Sequence, residues 1–265
     1  MRILTGIQAS GKLHIGNYFG AMKPMIDFQE HGELFTFIAN YHSLTTSRDA
    51  QLLKRLTLDA VIDYLSLGVD PNKTTFWVQS DVPQVLELYW ILSKFTPMGL
   101  LERAHSYKDK VSKGITPNHA LFSYPVLMSA DILILDTEKV PVGKDQIQHV
   151  EITRDIAIKF NNEYGEIFTL PEYIVNDEVA TVTGIDGQKM SKSYDNAIDI
   201  FMESEKKLQK RCNKIVTSST PMGEPLEFES CNVYNLASLF LNGSEREELQ
   251  KRYRSGKEGY GHFKK

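Results

Sequence analysis

The sequence predicts an α/β fold, a doubly wound parallel sheet, on three observations. Short apolar runs alternate with longer amphipathic ones through the first half of the chain. Their β-α-β-α-β order implies parallel strands joined by right-handed crossovers. A glycine-containing loop joins the first strand to the first helix, where such sheets bind ligands.

Ile3–Ile7 reads as the first strand, followed by a helix from about Asn17 to Gln29. Leu34–Ala39 is a second buried strand. Residues Leu52, Leu53, Leu56, Ala60, Ile62 and Leu65 recur close to helical period, with Asp49 as a first-turn acid. Gly68 ends that helix and Thr75–Val78 is a third strand. From about 83 to 136 the pattern is a helical insert, interrupted at Pro97, Gly114, Pro117 and Pro125. Lys139–Val142 is a short strand, Asp145–Asn162 an amphipathic helix and Val179–Val182 a last strand. Further helices cover Lys206–Ile215 and the stretch Val233–Tyr253. Residues 1–195 are expected to form the α/β domain with its insert, and 196–265 a C-terminal helical domain.

With 265 residues, 42% hydrophobic and 24% charged, the chain has a globular composition and not a disordered one. Its best core segment, Ile132–Leu135, is bracketed by Asp131 and Asp136 and falls far short of a membrane span. No signal-peptide core follows Met1, and Cys212 and Cys231 make neither a disulfide framework nor a four-ligand zinc site. A cytoplasmic location is the expectation. The net charge is −4, but residues 246–265 hold 7 basic and 3 acidic side chains. That basic end fits a solvated helix face or an anionic partner.

Two segments carry chemistry. The first runs from Thr5 to Asn17 and contains Gly11, His14, Ile15, Gly16 and Asn17. Its glycines permit close backbone approach, and the helix that follows favours phosphate at its N-terminus. The spacing matches neither the dinucleotide fingerprint nor a P-loop. The second is Lys189-Met190-Ser191-Lys192-Ser193, whose lysines could balance charge on a polyphosphate. Alone, each also reads as an ordinary loop.

Together they resemble the paired signatures of class I aminoacyl-tRNA synthetases. Asn17 departs from the first signature's last histidine, a change usual in the tryptophan branch. Between the signatures, the runs Ser123–Leu133 and Val140–His149 resemble bacterial-type tryptophanyl-tRNA synthetases, and the likeness extends from Arg2 to Lys265.

The resemblance implies ATP-dependent activation of L-tryptophan, transfer to tRNA(Trp), and magnesium on the phosphates. It assigns Gln8, Ala9, Ser10, His14, Gly16 and Asn17 to ATP. Gly143, Lys144 and Asp145 would hold the ribose and adenosine, and the backbones of Val182 and Met190 the adenine. Ser191 and Ser193 complete the ATP set. Lys110, Lys189 and Lys192 are the expected catalytic residues, facing the leaving pyrophosphate.

Asp131 is expected to accept from the indole N–H. An acid inside an apolar helix is costly to bury unless paired, and the indole is a donor-only group. Met128 and Val140 would pack on the indole. Tyr124 and Gln146 would meet the substrate ammonium, and His42 its carboxylate side. Thr5 stands where some family members have an aromatic, so one pocket wall is unassigned. No residue is assigned as a metal ligand.

The tyrosyl branch shares the fold and both signatures. A nucleotidyltransferase would use the same first signature, and a non-catalytic module could bind nucleotide or RNA on the same fold. A homodimer through the helical insert is expected. The family normally continues beyond Gly259–Phe263 into anticodon-reading helices, so the sequence is expected to lack the distal ones.

Overall fold

A computed structural model describes residues 1–9, 11–45, 49–104, 107–108, 112, 114, 116–175, 182–221 and 223–265, with Ser193 described by its backbone. The chain divides into two compact units, Met1–Gly11 with Met25–Asp177, and Lys12–Pro24 with Glu178–Lys265. The expected boundary at 195 falls inside the second unit.

The first unit holds a five-stranded parallel sheet in the order β3-β2-β1-β4-β5. The strands are β1 (Arg2–Ile7), β2 (Glu33–Ile38), β3 (Thr74–Val78), β4 (Lys139–Pro141) and β5 (Glu172–Ile174). The register runs from Arg2 opposite Glu33 to Ile7 opposite Ile38, and from Leu34 opposite Thr74 to Ile38 opposite Val78. β2 is buried along nearly its whole length, which explains its unbroken apolar sequence.

β5 was not expected. It is three residues long and mostly exposed, so it carries no apolar run to betray it. Most of the strand expected at 179–182 lies outside the described residues.

The helices of this unit follow local chemistry. α4 (Ala50–Ser66) begins where Asp49 accepts from the backbone N–H groups of Gln51 and Leu52. The short α3 (Asn40–Ser43) and a 3-10 turn (Gln79–Asp81) lie just past β2 and β3, at the sheet's carboxyl edge. α5 (Gln84–Ser93), α6 (Met98–Glu102), α7 (His119–Leu133) and α8 (Ile147–Tyr164) share a core that includes Leu92, Leu101, Val126, Ala130, Ile152 and Ile156.

Pro125 does not interrupt α7, contrary to expectation. A mid-helix proline costs about 3 kcal/mol, and burying Leu121, Val126, Ile132 and Leu133 outweighs it. Against the sheet, Leu4, Phe35, Phe37, Ile132, Val140 and Val150 form another core cluster, with Trp77 stacked on Phe37.

In the second unit, the expected helix after the first strand opens as α1 (Ile15–Asn17) and widens into a π-turn at Tyr18–Met22. The chain returns to the first unit within α2 (Lys23–Asp27), which leads to a 3-10 turn (Phe28–Glu30) there. Further on come α9 (Glu205–Asn213), α10 (Asn232–Ser238), α11 (Gly243–Arg254) and α12 (Tyr260–Phe263).

Ile15, Met190, Ile198, Val233, Leu249 and Tyr253 belong to its core. Part of the basic end is held internally. Arg252 donates two hydrogen bonds to Glu258, at 2.8 and 2.6 Å, with its guanidinium over Phe263. No helix among the described residues is long and apolar enough to cross a membrane.

Candidate active site

Asp131 lies on the last turns of α7, only 6% exposed, and its carboxylate is held from two elements. His42 of α3 meets Oδ2 through Nε2 at 2.9 Å. Gln79, in the turn after β3, donates from Nε2 to Oδ1 at 2.8 Å and to Oδ2 at 2.9 Å. Burial pushes the Asp131 carboxyl above the ordinary range, and the bonds from His42 and Gln79 oppose that shift. His42 therefore sits on a helix, against the acid, and not in an open loop.

α3 and the 3-10 turn are pinned together beneath this contact. Asn40 Nδ2 donates to Ser80 Oγ at 2.9 Å, and Ser80 N–H donates to Asn40 Oδ1 at 3.1 Å. Tyr41 N–H donates to Gln79 Oε1 at 3.0 Å, which fixes which face of the amide meets Asp131.

The other expected tryptophan-side residues are placed as follows. Tyr124 OH pairs with His149 Nε2 at 2.6 Å, and its ring meets His42 edge-on at 6.3 Å. Gln146 Nε2 donates to Asp145 Oδ2 at 2.9 Å. Val140 is buried in the sheet-side core, and Met128 packs half-buried against the same cluster. Thr5 is half-buried in β1.

Gly143, Lys144 and Asp145 follow β4 and are exposed. A Cβ on Gly143 would come within 2.6 Å of Asp145 Oδ1, so a side chain there would displace the Asp145 carboxylate from its present position. Past β1, Gln8 is exposed and Ala9 buried. Ser10 and Lys110 lie outside the described residues.

The second unit brings both signatures together. His14 caps α1: Asn17 N–H donates to His14 Nδ1 at 3.2 Å, while His14 N–H donates to Asn17 Oδ1 at 3.1 Å. Asn17 thus serves as a backbone cap, a task that needs no titratable group. With Nδ1 accepting, the ring proton sits on Nε2, where it can meet a phosphate oxygen. His14 is buried and held below its usual 6.5, first by burial and then by the nearby charge of Lys192, with Asp199 opposing. A backbone bridge pairs His14 with Asp199, and Ile15 N–H donates to Ile198 C=O at 3.0 Å.

The lysine signature forms one arm of a tight turn. Met190 N–H donates to Val182 C=O at 2.9 Å and Gly184 N–H to Gln188 C=O at 2.7 Å, with Gly187 at φ +83°. A base read here meets other backbone edges than Met190 N–H. Asn196, 1% exposed, organises the loop. Its Oδ1 accepts from Ser191 N–H at 2.8 Å. Its Nδ2 donates to Asp186 Oδ1 at 2.9 Å and to Lys189 C=O at 3.1 Å.

From α10, Asn232 Nδ2 donates to Gly184 C=O at 2.6 Å, and its Oδ1 accepts from Thr183 Oγ1. Lys189 and Lys192 are left exposed, and Lys192 is shifted down, by partial burial first, with Asp199 opposing.

Sequence reasoning missed Gln79, His149, Asn196 and Asn232. Gln79 had a usable signal, since it directly follows a parallel strand at the ligand-binding edge. The two asparagines had none, because their partners mix backbone groups with the side chains of Asp186 and Thr183, in no motif.

A Rossmann-like sheet with both nucleotide signatures defines a class I synthetase. The family model for class I tRNA synthetases specific for tryptophan (W) and tyrosine (Y) matches residues 1–265. The tryptophan–tRNA ligase of Campylobacter jejuni strain RM1221 is 65% identical over 264 residues, covering 100% of this chain and 82% of that protein. That of Fusobacterium nucleatum is 54% identical, covering 99% and 81%.

The crystal structure of tryptophanyl-tRNA synthetase from C. jejuni, complexed with ADP and tryptophan, superposes with a TM-score of 0.93 at 65% identity. It covers 100% of this chain and 82% of that one. A tyrosyl-tRNA synthetase from Archaeoglobus fulgidus, at 19% identity and a TM-score of 0.71, shares the fold alone. The chain belongs to the class I tRNA synthetases for tryptophan and tyrosine, and within them to the bacterial tryptophan–tRNA ligases.

Proposed function

We propose that this chain activates L-tryptophan with ATP and passes the tryptophanyl group to tRNA(Trp). The observation that carries this is the 65% identity to a tryptophan–tRNA ligase over the whole chain. A tryptophan carboxylate oxygen attacks the ATP α-phosphorus, the bond to the bridging oxygen breaks, and pyrophosphate leaves. A hydroxyl of the terminal tRNA ribose then attacks the carbonyl carbon of the adenylate. Its proton is released and AMP departs. No protein nucleophile is needed, so positioning and electrostatics carry the rate.

In the first unit, Asp131 accepts from the indole N–H, with Met128 and Val140 as apolar neighbours. Burial of the acid and its hydrogen bonds from His42 and Gln79 support that reading. Tyr124, Gln146 and His42 are assigned to the substrate's ammonium and carboxylate. Gln8, Ala9, Ser10, Gly143, Lys144 and Asp145 are assigned to ATP.

In the second unit His14, Gly16, Asn17, Val182, Met190, Ser191 and Ser193 are assigned to ATP, and Lys189 and Lys192 to the phosphates. Lys110 joins these lysines on the family resemblance alone. Magnesium is assigned to ATP's own oxygens, because His14, Lys189 and Lys192 present nitrogen donors and not the oxygen ligands this ion takes.

Three further assignments follow. A homodimer through the insert is supported by exposed Leu86, Trp90, Ile91 and Met98, with Trp90 77% exposed. A cytoplasmic location and a catalytic region ending near 195 follow from the family resemblance. Tryptophan-dependent ATP–pyrophosphate exchange tests the whole reading. Exchange with tyrosine and not with tryptophan would overturn it.

A further inference from the structure

We propose that Gln79 is a positioning residue for tryptophan selection, aiming the Asp131 carboxylate at the indole N–H. The inference rests on the reading of Asp131 as the indole acceptor. A carboxylate offers about four lone-pair directions. Gln79 Nε2 occupies one on each oxygen, and His42 Nε2 a second one on Oδ2. Among the described residues, Oδ1 accepts from Gln79 alone, which leaves one of its directions for a further donor.

The amide cannot turn over. Its Oε1 is tied to Tyr41 N–H at 3.0 Å, and reversal would set that oxygen against the carboxylate and an NH2 group against the N–H. The Asn40–Ser80 pair holds the two supporting elements in register. Gln79 is 1% exposed, so its side chain meets protein and not solvent. A residue serving only to fill this space would not need a donor shared between both oxygens.

Among the described residues, the titratable groups around the acid are few. His42 faces it from α3. Behind His42 lie Tyr124, of Asp131's own helix, and His149 of α8, bonded to Tyr124. Removing the Gln79 donors destabilises the ionised acid, and a protonated Asp131 offers a donor where an acceptor is needed.

Two variants therefore respond to pH in opposite directions. In Gln79→Met the tryptophan KM rises as pH falls. In Gln79→Glu the second carboxyl shares a proton with Asp131, and the KM rises as pH rises and that proton is lost.

The test measures tryptophan-dependent pyrophosphate exchange across pH 5.5–8.5, roughly spanning the histidine range. It uses tryptophan and the analogue carrying ring sulfur in place of the indole N–H, with thermal melting as a check on folding. Gln79→Met is expected to raise the tryptophan KM by about tenfold or more, leave kcat within a few-fold, and cut the preference over the sulfur analogue. The opposed pH slopes of the two variants support positioning, and parallel or flat slopes overturn it.

If Gln79→Met fails to fold, Gln79→Glu alone decides by the sign of its slope. Asp131→Leu, which carries no acceptor, separates the two claims. If it retains the preference over the sulfur analogue, the acceptor reading and this inference fall together. If it loses the preference while Gln79→Met keeps it, only the role of Gln79 falls.

Discussion

Gly16 and Met190 pack so closely that a Cβ added to Gly16 would lie 3.3 Å from Met190 Cβ. One residue belongs to the first signature and the other to the second. The same added carbon would lie 2.9 Å from His14 Nδ1, the atom that caps α1. Glycine at this position lets the capping histidine and the lysine-bearing loop share one small volume.

Gly16→Ala is accordingly expected to displace both His14 and Met190. A shift of about 1 Å at catalytic groups can cost roughly a hundredfold in rate. Steady-state exchange should show that loss mainly in kcat, with the tryptophan KM nearly unchanged. Wild-type kcat would mean that the two signatures do not depend on this contact.

Acidification should act through His14. Its folded pKa lies below 6.5, so the neutral form is favoured by folding. The associated stability is present above 6.5 and is lost as pH falls through the folded value. Protonation places a hydrogen on Nδ1, which then cannot accept from Asn17 N–H. An NMR titration of the His14 ring is expected to give a midpoint below 6.5, alongside falling exchange activity. A midpoint above 6.5 would contradict the burial and the Lys192 charge as controlling influences.

Asn196→Ala removes three hydrogen bonds that tie the lysine loop to itself. Asp186 and Lys189 are exposed and Ser191 half-buried, so water recovers part of each loss and each bond is worth about 0.5–1.5 kcal/mol. The melting temperature should drop by several degrees, and the ATP KM and kcat should both worsen. A variant that melts like the wild type but loses kcat would still place Asn196 in loop positioning. One with neither change would remove it.

Lys192→Ala tests the charge itself. Lys192 is exposed, so stability should change little. Removing one preorganised charge from a displaced phosphoryl typically costs about 2.7–4 kcal/mol in the transition state. Single-turnover adenylate formation should slow by that amount, while tryptophan binding by equilibrium dialysis stays within a few-fold. Equal losses in both would mark Lys192 as a ground-state contact.

Much of the fold was legible because its signals were local and periodic. β1 to β4 and α4 each carry an apolar run or a capping residue at the position the structure uses. β5 was not legible, since a three-residue exposed edge strand is defined by its neighbour β4 and not by its own side chains. Pro125 misled for the opposite reason, because its strong local rule is overridden by packing along α7.

The site divides the same way. Asp131 stood out as an acid in an apolar helix. The lysine signature stood out as a string. Gln79 and Asn196 act through contacts 52 residues away and onto backbone atoms, respectively, and no spacing rule reports those.

The chain's own two tryptophans sit in opposite surroundings. Trp77 is stacked on Phe37 at 5.3 Å, within the cluster that also takes Met128 and Val140, while Trp90 is 77% exposed on α5. Their fluorescence is therefore separable by colour. Trp90 should emit at long wavelength and be readily quenched by iodide, and Trp77 should emit toward the blue and resist quenching. Burying Trp90 between two copies would shift the red component and leave the blue one unchanged. The protein thus carries a built-in optical readout of association that needs no added label.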